Sequence, residues 1–179
     1  MLQTNKLLNL AAIVCFLALS LSSLALAQPK SIAKKAEFVV TSGNQSSVIS
    51  VWLVDDTLAF SPQGTQQIAL WHLWKTDHPS FYQVYPEVGY RIEFDRLTSQ
   101  ETLKMLDELK LLINGHDFVD QMDIDGKQFE LSSLESGQSI ETAVAKWRSY
   151  QTFDYADIGD NEADPVLGKL IQQGFVRTL

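Results

Sequence analysis

Between Glu37 and Asp95 the apolar positions recur every second residue, and beyond Leu97 they recur at helical spacing. A period of two is the mark of strands, and a period near 3.6 that of amphipathic helices. Glu37–Thr41 is apolar and β-branched and ends at the turn residues Ser42-Gly43-Asn44. In Ser47–Val54, residues Val48, Ser50, Trp52 and Val54 fall on one face and Ile49, Val51 and Leu53 on the other. Both faces are largely apolar, which predicts a central strand covered on two sides. Asp55-Asp56 breaks it, and Ser61-Pro62-Gln63-Gly64 marks a further turn. Gln67–Lys75, Phe81–Tyr85 and Tyr90–Asp95 complete the strands. In the last of these Tyr90, Ile92 and Phe94 oppose Arg91, Glu93 and Asp95, the alternation of a half-buried antiparallel strand.

The first helix is announced by Thr98-Ser99-Gln100-Glu101, a capping box in which hydroxyl and carboxylate satisfy orphan amides reciprocally. Leu103, Leu106, Leu109, Lys110 and Ile113 follow at helical spacing, Met105 and Leu112 widen the stripe, and Asn114-Gly115 supplies the stop. Phe118–Ser132 reads as a hairpin about Asp125-Gly126, a pair suited to a type I′ turn. That turn places Ile124 opposite Lys127 and Met122 opposite Phe129. A second helix is expected over Ser139–Tyr150, with Ile140, Val144 and Trp147 as its stripe. A third should open at Asp164-Pro165, N-cap and first-turn proline, and close at Gly174. The expected fold class is therefore α+β: an antiparallel sheet from the N-terminal half plus a hairpin, with about three helices packed on one face.

The N-terminal stretch changes where that domain starts. Lys6 precedes the apolar run Leu7–Leu21, and Ala25-Leu26-Ala27 supplies the small residues that signal peptidase requires. Residues 1–27 read as a signal peptide and 28–179 as a single α+β domain, exported to the periplasm or secreted, with its first residue at Gln28. Cleavage there would remove Cys15, the chain's one cysteine, and leave a cysteine-free mature chain without disulfides. It would also remove Lys6, leaving 13 basic against 22 acidic residues and a net charge of −9, where the full chain carries −8. An acidic chain is poorly suited to neutralising phosphates, so no nucleic-acid partner is expected. Nor is stable membrane insertion expected after cleavage.

Candidate chemistry is sparse. Asp123-Ile124-Asp125-Gly126 resembles part of a calcium loop, but aligning Gly126 with the turn glycine puts Gln121 and Ser132 where the terminal acidic ligands belong. In Trp71-His72-Leu73-Trp74-Lys75-Thr76-Asp77-His78 no spacing puts two imidazoles on one strand face, and His116 is remote. Trp71, Tyr82 and Tyr85 could stack on a sugar, though core packing is their commoner use. The acidic stretch 154–164 holds Asp154, Asp157, Asp160, Glu162 and Asp164 and fits no calcium loop. No nucleophile elbow, phosphate loop or dinucleotide fingerprint is present. Catalytic residues are thus unassigned, and no cofactor or metal ligand is expected.

Two stretches, WLVDDTLAFSPQG (52–64) and YRIEFDRLTSQETL (90–103), are similar to exported bacterial proteins with a chalcone-isomerase-like fold. The likeness stops after the first helix and assigns no site residue. The expected function is that of a non-catalytic exported binding or accessory protein acting on a protein partner or small ligand. The alternatives are a calcium- or glycan-binding module and an enzyme whose site has no sequence motif.

Overall fold

The computed structural model describes residues 31–94 and 99–157, together with Pro165 and Gly168. The expected signal peptide, the expected capping residue Thr98 and almost all of the helix expected from Asp164 lie outside these residues.

Six strands form first, each joined to the next by a short connection: β1 (Ala33–Ser42), β2 (Gln45–Val54), β3 (Thr57–Pro62), β4 (Ile68–His72), β5 (Ser80–Tyr85) and β6 (Tyr90–Phe94). Then come α1 (Ser99–Leu111) and the small hairpin β7 (Ile113–Asn114) and β8 (Asp117–Phe118). Strands β9 (Gln121–Ile124) and β10 (Lys127–Ser136), helix α2 (Gln138–Arg148) and β11 (Gln151–Asp154) complete the order. Nine strands share one sheet in the order β11-β6-β5-β4-β3-β2-β1-β10-β9. All pairs are antiparallel except β11 with β6, so the sheet is mixed.

The topology explains where the helices go. The chain leaves the meander at β6, passes through α1 and rejoins the sheet beyond β1 as β9 and β10. It then returns through α2 to the β6 edge as β11. The two helices are crossovers on opposite faces. Face A packs Phe38, Val51, Phe60 and Trp71 against Met105, Leu106, Leu109 and Leu112 around α1. Face B packs Val54, Ala59, Leu70 and Val84 against Ile140, Val144 and Trp147 of α2, with Trp147 edge-on to Trp52 at 5.2 Å.

This corrects the expected fold class. The described chain is mostly sheet, with two helices on opposite faces rather than about three on one. The α+β expectation undercounted strands because β3 is a six-residue segment buried on both faces from Thr57 to Ser61 and enclosed by turn residues, with no alternation to reveal it. It also missed β11, whose pairing depends on α2 returning the chain to β6. Other expectations held. Ile49, Val51 and Leu53 face one core while Val54 and Trp52 face the other, as the two-sided pattern of β2 implied. The β9–β10 register pairs Ile124 with Lys127 and Met122 with Phe129. In α1 the buried stripe is Met105, Leu106 and Leu109, continued by Leu112 just past its end, whereas Leu103 is exposed and Ile113 has left the helix.

The sheet must also curl. Seven inter-strand steps of ~4.8 Å separate β10 from β11, ~34 Å if flat. Ten helical rises span ~15 Å, and the five other steps between Ser136 and Gln151 would bring the reach to ~33 Å only if every junction residue were extended; Ser149 keeps a helical conformation, so the connection falls short of that. Face B is therefore concave and wraps α2.

Candidate binding site on face B

Where α2 ends, the apolar packing on face B gives way to polar side chains. Asp55 and Asp56 form the two-residue turn between β2 and β3, with Asp55 in the left-handed region at φ 47°. Their roles differ. The Asp55 carboxylate accepts hydrogen bonds from the Ile32 amide at 2.9 Å and the Ser31 hydroxyl at 3.0 Å, tying down the approach to β1. Asp56 instead meets His72 and Arg148. Its Oδ2 is 3.5 Å from His72 Nδ1, and its Oδ1 accepts from Arg148 Nη1 at 3.4 Å. Arg148 Nη2 also reaches His72 Nε2 at 3.4 Å.

These contacts decide the state of the imidazole. A guanidinium has donors only, so Nε2 must accept and the proton of the neutral ring sits on Nδ1. The Nδ1–Asp56 approach is close enough for attraction but is not aligned as a hydrogen bond, and Nδ1 is buried without a bonding partner. Burial pushes the His72 pKa below its ordinary value, and the Arg148 and Arg91 charges push it the same way against the opposing pull of Asp56. His72 is neutral at pH 7. The next residue, Leu73, has φ 56°, a strained conformation for a branched side chain, and leaves that side chain exposed. The Leu73 conformation turns the chain so that Trp74 returns to the core on face A.

The second half of the network lies on β5, β6 and β11. Tyr82 donates to Glu93 Oε1 at 3.2 Å. Arg91 lays its guanidinium over the Tyr82 ring, 4.3 Å from the centroid, and donates from Nε to Thr152 Oγ1 at 2.7 Å. Burial first, and then the Glu93 charge, raise the Tyr82 pKa, so the phenol stays protonated. Register explains this meeting: Tyr82 pairs with Glu93, and Arg91 pairs with Val84 on one side and Thr152 on the other, all on face B.

The structure separates the residues singled out in sequence. Trp71 and Tyr85 are buried and project to face A, while Tyr82 is on face B, so the three form no shared exposed platform. Burial raises the Tyr85 hydroxyl well above the usual phenol range. His78 lies on the exposed β4–β5 connection and His116 on the exposed β7–β8 turn. Asp123 accepts from the Gly126 amide at 3.2 Å inside its hairpin, where Asp125 and Gly126 have φ 51° and 77°. Within the acidic stretch, Asp154 caps its own turn by accepting from the Ala156 amide at 2.9 Å. Residues 158–164 lie outside the described residues. Among the described residues no three His, Cys, Asp or Glu side chains group as metal ligands, and no helix is long and apolar enough to cross a membrane.

Of the face B network, only His72 and Tyr82 stood out in the sequence, and each for another reason. Arg91 and Glu93 share one face of β6, as their spacing implied, but Asp56, Arg148 and Thr152 come from a turn, α2 and β11, and no spacing could have joined these to them. No protein family matches the chain, and no curated protein matches it.

Proposed function

We propose that this chain is an exported, periplasmic binding or accessory protein without catalytic activity, which holds a small ligand or a partner segment on face B beside α2. The observation that carries the reading is the wiring of His72. The one imidazole in the network has its free lone pair facing Arg148, not a hydroxyl or thiol nucleophile. Ser80, its cross-strand neighbour, turns its hydroxyl to Tyr82 instead. A base occupied by a guanidinium is unsuited to general-base work, whereas half-buried, mutually oriented polar groups beside apolar walls suit recognition. Export rests on Lys6, the apolar run after it and Ala25-Leu26-Ala27.

Two measurements test this. Intact mass of the chain recovered from the periplasm should place its first residue at Gln28; a full-length membrane-retained species would refute export. Amide-resolved NMR against a panel of small metabolites and extended peptides should give saturable shifts at Tyr82 and Trp147, weakened in Arg148→Ala. Turnover of any panel compound that is abolished in His72→Ala would refute the non-catalytic reading.

A further inference from the structure

Arg91 and Arg148 are the two guanidinium groups of the face B network, and they differ in how far they are committed. Arg148 is divided between Asp56 and His72. Arg91 is held rigidly but is left chemically open. Its plane rests on the Tyr82 ring, and its Nε donates to Thr152 Oγ1, so two independent contacts fix both position and rotation. The Nη1 and Nη2 donors have no protein partner among the described residues. Nearby carboxylates could have neutralised them. Glu93 sits two residues away on the same strand face, yet its Oε1 accepts from Tyr82. Asp154, the register partner of Glu93 on β11, turns its Oδ1 to the Ala156 amide. Arg91 forms no ion pair within 4 Å among the described residues, in a chain whose net charge is −8.

We propose that Arg91 is an oxyanion receptor, with its open Nη1/Nη2 edge binding the carboxylate or phosphate group of a small ligand; this rests on the reading of face B as a binding surface. A guanidinium with Nε already used keeps one two-donor edge, which matches the two oxygens of a carboxylate or phosphate. Because the aromatic face and Thr152 have already ordered the side chain, binding does not have to immobilise it. Partial burial between Tyr82 and Thr152 also weakens the screening that makes a fully exposed arginine a poor anion site.

The test is an NMR titration of the ¹⁵N-labelled full domain with acetate, inorganic phosphate and, as a screening control, chloride. It reads the Arg91 Nε–H and Tyr82 ring signals. Acetate or phosphate should move both saturably while chloride does not, and the preferred anion identifies the ligand group. Arg91→Gln should abolish the saturable shift. Arg91→Lys keeps the charge and the apolar stem over Tyr82 but loses the two-donor edge, so affinity should fall roughly tenfold. That variant also guards against misfolding of the glutamine substitution. Shifts that match those with chloride, or that persist in Arg91→Gln, overturn the assignment. If uncharged panel ligands still shift Trp147 while no oxyanion acts at Arg91, this inference fails and the binding function stands.

Discussion

At the residue scale, the group whose chemistry the fold alters most usefully is His72. Its pKa in the folded chain lies below the ordinary value of 6.5, through burial and the charges of Arg148 and Arg91 against that of Asp56. The unfolded chain therefore binds more protons in the window beneath 6.5 than the folded chain does. Stability from keeping this imidazole neutral is present above that value and is lost as pH falls toward the folded pKa. Melting temperature should drop more steeply from pH 7.5 to 5.5 in the wild type than in His72→Gln. The comparison with the variant cancels the separate effect of protonating surface carboxylates. Equal slopes would show that the imidazole is not held neutral. A histidine is plain in the sequence, but its depressed pKa is not, because the causes sit on α2 and β6.

At the element scale, local rules succeeded wherever a segment's conformation is set by its own side chains. The β9–β10 turn is one such case: positive φ at two successive residues suits an Asp-Gly pair. A Cβ at Gly126 would meet nothing within 4 Å, so the cost of Gly126→Ala is conformational rather than steric with neighbours. That substitution should destabilise the chain by about 1 kcal/mol, read from urea denaturation. A neutral result would mean that the turn relaxes to another type. The stripe of α2 was legible for the same reason: Ile140, Val144 and Trp147 recur at helical spacing and are its buried residues. Strand β3 was not legible, because a segment this short that is buried on both faces has no period to distinguish it from the end of a neighbouring element.

At the scale of the whole molecule, one sheet separates two apolar clusters, and each strand from β1 to β5 contributes to both. Neither cluster can melt without releasing strands that form the wall of the other. Leu106→Ala, on face A, and Ile140→Ala, on face B, should each cost about 2–5 kcal/mol. Both should lower the same single transition, seen alike by far-ultraviolet circular dichroism and by tryptophan fluorescence. Trp71 reports on one face and Trp147 on the other. Separate transitions for the two probes would show that the faces unfold independently.

The sequence by itself determined the strand periods of the N-terminal half, the hairpin register at Asp125-Gly126, the buried stripe of α2, the Met105, Leu106 and Leu109 part of that of α1, and the acidic balance of the chain. These follow from sterics, turn chemistry and periodicity acting over a few residues. Only the tertiary structure decided that the helices take opposite faces, that β11 joins β6 in parallel, and that Asp56, His72, Arg91 and Arg148 share one concave surface. Those outcomes depend on which sheet edge each crossover must reach and how far the sheet must curl for α2 to reach it, and no short window of residues contains that information.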